Sequence, residues 1–254
     1  MISLESYYKT LHENAKKYAH VTYEHPMLLN MINGGLDQVQ DNLLNYQSDD
    51  LKKAYGGKLL SRCMPTGEIN AISLIAPNKL GYLLLVDIGL GVMAAEAAKL
   101  ISIVLALPNS WQDNVFVVKL KNMHLQAIEQ YANTGSCQSN LHVLSDKLLF
   151  ADCPEAFLSA GRIILYFYKF VLGHELSHVT EGHLDQYELT TRTHLHYDNV
   201  VRQRNEFKAD VKSMEYIIES FPTQRMMSWD IYQEAMVAPY ILLGIFCQVE
   251  QLRG

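Results

Sequence analysis

Residues 160–183 read Ala-Gly-Arg-Ile-Ile-Leu-Tyr-Phe-Tyr-Lys-Phe-Val-Leu-Gly-His-Glu-Leu-Ser-His-Val-Thr-Glu-Gly-His. Ile163, Ile164, Phe167, Phe170 and Val171 recur at helical spacing. The spacing predicts a long helix from about Ala160 to Glu181, its apolar face in a core, ended by Gly182 as a C-cap. On that helix, residues 174–178 spell His-Glu-Leu-Ser-His. Positions four apart differ by ~40° around a helix axis, so His174 and His178 project from one side and can grip one cation. Glu175 sits ~100° from His174, close enough to reach a water on that cation without ligating it. A buried, rigid helix is a suitable place to hold such a group in fixed geometry.

Two imidazoles need a third ligand to make a catalytic zinc site. A Gly and a His at the eighth and eleventh motif positions would supply one, but those positions are Glu181 and Leu184. His183 lies nine residues after His174, on the opposite face of a continuous helix. It can approach only if the helix breaks at Gly182, and otherwise reads as an exposed or structural histidine. In Thr193-His194-Leu195-His196-Tyr197-Asp198 the alternating histidines would share one side of an extended segment. They are expected to border a cleft or face solvent rather than to ligate. Asn205-Glu206-Phe207-Lys208-Ala209-Asp210 places two carboxylates four apart on a second helix, expected over about 200–220. Glu206 is therefore the expected third ligand. Asp210 is expected to receive the free ring N–H of a ligand histidine, which fixes its tautomer. Phe207, Val211, Met214, Ile218 and Phe221 are expected to form the buried stripe of this helix.

The remaining chain reads as mostly helical. A first helix is expected over 3–20, with turns at Gly34-Gly35, Gly56-Gly57 and Pro65-Thr66-Gly67. Residues 69–76 and 81–87 read as two strands around Ala76-Pro77-Asn78-Lys79. Residues 89–107 read as a buried helix closed by Pro108. Residues 109–120 are ambiguous, with Val115-Phe-Val-Val a candidate strand, 122–132 reads as helix, 133–161 as loop-rich, and 224–236 and 239–252 as two more helices. The expected class is α+β, mostly helical, with a small sheet packed on the H-E-x-x-H helix, in a single domain over 1–254. Residues 91–161 are a possible insertion, acting as a lid, a docking surface or extra core.

At the metal residues the chain resembles the gluzincin metallopeptidases. His174-Glu175-x-x-His178 followed by Asn205-Glu206-x-x-x-Asp210 is similar to the thermolysin pattern. The HtpX- and prenyl-protease-related family looks closer, through His183 and Glu206-Phe-Lys-Ala-Asp210. Asn70-Ala71 and the strand into Gly89-Leu90 resemble that family's upstream pair. The family's Gly-Leu usually lies close before the metal helix, whereas here some eighty residues intervene. Its frequent Gly at the fourth motif position is Ser177, and the membrane spans of many relatives are missing. A further resemblance is to the phage-exclusion peptidase Lit type, which also carries H-E-x-x-H followed by Gly-His. The resemblance implies a zincin-like fold, with an edge strand beside the cleft against which an extended peptide can pair.

These residues imply a zinc-dependent endopeptidase with one Zn²⁺ ion on His174, His178 and Glu206, and Glu175 as general base. Its substrate would be a peptide or protein. His194, His196, Tyr187, Tyr197 and Tyr232 are the candidates to stabilise the oxyanion. The alternatives are a catalytically silent zinc-binding protein that regulates a partner or holds a peptide, a hydrolase acting on another bond, and a dedicated phage-defence or toxin-like protease. The net charge of -6 and the pI near 5.9 argue against nucleic acid as a partner. Cys63, Cys137, Cys153 and Cys247 show no C-x-x-C spacing and fit a reducing compartment. No basic, then apolar leader is visible, and Asp87, Glu96 and Lys99 interrupt the most hydrophobic stretch, so the expected location is cytoplasmic with no transmembrane segment.

Overall fold

The computed structural model describes residues 3–19, 26–46, 49–106, 154–184 and 195–221, with parts of 118–134 and 232–244. Among the described residues the main elements follow in the order α1 (Leu4–Tyr18), α2 (Pro26–Tyr46), α3 (Asp49–Tyr55), β1 (Leu59–Met64), β2 (Ala71–Ile75), the 3₁₀ turn Pro77–Lys79, β3 (Tyr82–Asp87), α4 (Ile88–Ala106), α5 (Pro154–Thr180) and α6 (Leu195–Glu219). The class is α+β, mostly helical, with one three-stranded sheet.

The sheet has the order β1-β3-β2. β1 runs parallel to β3 and β2 antiparallel to it, with Leu84 opposite both Ser61 and Ser73. Alternation along the strands divides the side chains between two faces. Leu60, Met64, Leu74, Leu83 and Leu85 pack against Tyr8 and its α1 neighbours. Leu59, Cys63, Ala71, Leu84 and Val86 belong to the main core, with residues of α2, α4 and α5. The sheet is thus sandwiched between α1 and the helices that carry the site. Arg62 of β1 ties the first layer together by pairing with Glu5 of α1 and Asp37 of α2.

Two expected strands and the buried helix after them are present as β2, β3 and α4. β1 was not foreseen: Arg62 and the bare Lys58-Leu59 entry hide its alternation. The expected turn at Gly34-Gly35 is corrected, because α2 runs through both glycines. Two helix-interior glycines cost about 2 kcal/mol together. Burial of Leu36, Val39, Leu43 and Leu44 along the same helix offsets it. α5 starts at Pro154 rather than near Ala160, with proline in the first turn where its missing N–H costs nothing.

A larger correction concerns α6. Phe207 (68% exposed), Val211 and Ile218 face outward, Met214 and Phe221 pack inward in part as expected, and Asn205, Ala209, Ser213, Tyr216 and Ile217 are the buried residues. The side that packs on α5 must also carry Glu206 and Asp210 to the imidazoles. Beside the metal residues it is therefore made of the small and polar Asn205, Ala209 and Ser213, with Tyr216 and Ile217 buried further along the helix.

Among the described residues, α5 is the one helix long and apolar enough to cross a bilayer by length and composition, and 56% of that stretch is buried within the chain. α5 packs on α6, α4, α2 and the edge strand β2, which makes it the central helix. Cys63 is buried as expected, and Cys137, Cys153 and Cys247 lie outside the described residues.

Candidate metal centre

Gly173 determines how closely α6 can approach α5. A Cβ there would lie 2.8 Å from Ser213 Oγ and 3.2 Å from Tyr216 Cδ2. Bare backbone at this point, one residue before His174, lets α6 lie flat against the motif. Ser213 completes the contact by donating to the Phe170 carbonyl. A Gly173→Val variant is expected to lose about 1–3 kcal/mol of stability by overpacking and to bind metal more weakly because α6 is pushed away. Thermal melting and chelator competition measure the two effects, and unchanged values for both would show that the close approach does not matter.

His174 Nε2, His178 Nε2 and a Glu206 carboxylate oxygen all lie within 4.8 Å of one another. The two nitrogens are 3.1 Å apart. Glu206 Oε2 is 3.2 Å from His174 Nε2 and 3.5 Å from His178 Nε2. A tetrahedral zinc with bonds near 2.05 Å has ligand–ligand edges of about 3.3 Å. The triangle therefore has the dimensions of one face of such a polyhedron, and two imidazoles with one carboxylate are a suitable donor set.

The other ring nitrogens of both histidines are also engaged. His174 Nδ1 is 2.8 Å from Asp210 Oδ1, so its N–H donates to that carboxylate, and a cation would bind at Nε2 in place of the proton shared there with Glu206. His178 Nδ1 lies 3.1 Å from Nδ1 of His183. The helix breaks where it must for this contact: Gly182 has φ +67 and reverses the chain after α5. Its N–H reaches the Val179 carbonyl, and the Glu181 N–H reaches Ser177. His183 is 2% exposed, packed against His178, with ring centroids 5.2 Å apart.

The electrostatics match a site that favours positive charge. Burial pulls the His174 pKa down, but hydrogen bonds to Asp210 and Glu206 outweigh it and push the imidazole up to about 10. Hydrogen bonds to His174 and His178 hold the Glu206 carboxyl far below the usual range, even though its side chain is 47% exposed. Burial pushes Glu175 up, against the nearby His174 and His178 and a hydrogen bond from Ser73. His183 is pushed down, first by burial and then by His178.

Ser73 lies on β2, the strand that forms one edge of the sheet. Its contact with Glu175 places that edge beside the carboxylate. Sequence reasoning did not single out Ser73, since one serine in an apolar strand carries no pattern. Helical spacing alone points His183 away from the site, and only the break at Gly182 brings it back.

The remaining candidates are His194, His196, Tyr187, Tyr197 and Tyr232. Tyr187 and His194 lie outside the described residues. The expected extended segment is corrected at His196 and Tyr197, which fall in the first turn of α6, with side chains outside the described set. Tyr232 packs on Phe221, with centroids 6.3 Å apart. Phe221 lies past the far end of α6, about 20 Å from Glu206 at 1.5 Å per residue, so Tyr232 is not an oxyanion donor for this site.

No protein-family model matches the chain, and no curated protein or solved structure matches it at a significant level.

Proposed function

We propose that this protein is a zinc-dependent endopeptidase of gluzincin type with a zincin-like fold. The observation that carries the reading is the convergence of His174, His178 and Glu206 from two helices onto one ion-sized triangle, with Glu175 buried beside it. A zinc ion held there supplies a Lewis acid that lowers the pKa of water toward ~7 and polarises a carbonyl. His174, His178 and Glu206 would hold it, and Asp210 fixes the ring of His174. Glu175 takes the proton from the attacking water and passes it to the leaving amine. Its raised pKa suits a group that must both accept and return a proton. Among the described residues β2 is an edge strand of the sheet, and such an edge would give an extended peptide a row of backbone groups to pair with. A purely structural zinc site closes its fourth position with protein, and among the described residues none fills it here.

The test has two parts. Purified protein is assayed for stoichiometric zinc, and proteome-wide detection of new termini compares cells making the native chain with cells making Glu175→Gln. One zinc per chain and termini that depend on Glu175 support the reading. Zinc without such termini supports a silent zinc-binding protein instead, and no zinc removes both.

A further inference from the structure

We propose that His183 is the positioning residue for His178: its Nδ1 accepts the Nδ1–H of His178 and so directs the His178 Nε2 lone pair at the metal. The proposal rests on the metal-centre reading above and extends it to a residue outside the ligand set.

The geometry leaves few choices. The two Nδ1 atoms are 3.1 Å apart, and the Nε2 of His178 is turned toward His174 and Glu206. A neutral imidazole has one N–H and one lone pair on its two nitrogens. A hydrogen bond between two Nδ1 atoms holds one proton. With that proton on His178, His178 Nε2 is a free donor to a cation. With it on His183, His178 carries its own proton on Nε2, inside the triangle, and cannot ligate. The working arrangement therefore requires His183 to be the acceptor. Burial keeps water from competing for that bond, since His183 and His178 are 2% and 6% exposed. The turn at Gly182 exists in a conformation that returns His183 beneath the helix it has just left.

The two ligand histidines are thus supported differently. His174 leans on a carboxylate and His178 on a neutral ring. A carboxylate partner makes the imidazole a stronger electron donor. A neutral partner orients the ring without adding charge, which preserves the acidity of the metal.

Three proteins test the assignment: the native chain, His183→Asn, whose amide oxygen can take the place of Nδ1, and His183→Leu, of similar bulk with no acceptor. Zinc affinity is measured by competition with a chromophoric chelator, and melting of the metal-free proteins controls for folding. His183→Leu is expected to weaken zinc about 10–100-fold and His183→Asn less than about threefold. Long-range ¹⁵N–¹H spectra of the zinc-loaded native chain should show His178 protonated on Nδ1 and His183 unprotonated there. Equal affinity of His183→Leu and the native chain overturns the proposal. So does a loss in His183→Asn as large as in His183→Leu, which would mark a packing role. The native spectrum decides the point even where His183→Leu does not fold. Absence of zinc from the native chain removes the metal centre itself, a different result from a native chain that binds zinc and is indifferent to His183.

Discussion

A Glu175→Gln variant is expected to keep its zinc and to hydrolyse peptide about 10²–10⁴-fold more slowly, the range for loss of a general base. Glutamine has the same shape and can still meet Ser73, but it cannot take a proton from water. The position is suited to such a role. Glu175 is 7% exposed, follows the first ligand directly and faces the edge strand. Burial without a cation partner would be costly for a carboxylate that had only a structural task. The measurement is turnover of a quenched fluorogenic peptide library beside metal content by atomic emission. Turnover within tenfold of the native chain would remove Glu175 as base. Loss of metal together with turnover would instead move it into the ligand set.

Replacing Glu206 with Ala is expected to weaken zinc by more than the ~10–100-fold typical of residues that only orient a ligand. The carboxylate is the anionic donor of the triangle, and its loss leaves only the two imidazoles, 3.1 Å apart. Asp210→Asn, which removes only the acceptor for His174, is expected to fall within that ~10–100-fold range. The order of the two effects separates ligand from orienter. Chelator competition gives the affinities. The zinc-induced rise in melting temperature gives an independent check, because a ligand at 100 times its Kd stabilises the folded chain by about 2.7 kcal/mol. An unchanged shift in Glu206→Ala would exclude that residue from coordination.

Much of the site was legible from local spacing. The apolar residues of α5 and the four-residue intervals between His174 and His178 and between Glu206 and Asp210 follow the helical repeat, which the backbone imposes on any sequence that adopts it. α6 shows where such reasoning ends. Its apolar stripe through Phe207, Val211 and Ile218 pointed to one buried face, and the chain buries another. Hydrophobicity favours turning that stripe inward, but the face that carries Glu206 and Asp210 to the imidazoles has to lie on α5, where bare Gly173 leaves room for Ser213 and the Tyr216 ring. β1 and the continuity of α2 were missed for a related reason: each is stabilised by partners remote in sequence, which no short window contains.

The residue periods of the chain were enough to identify which side chains can share a cation, since a helix fixes its own angular intervals whatever surrounds it. They could not place Ser73 beside Glu175 or return His183 to His178. The first contact joins residues about a hundred positions apart through the packing of α5 on β2. The second depends on a left-handed Gly182, where a bond rotation at one residue changes a ring from the opposite face to hydrogen-bonding distance. Angular order along one element is local, whereas the meeting of elements is set by the shapes they bury between them.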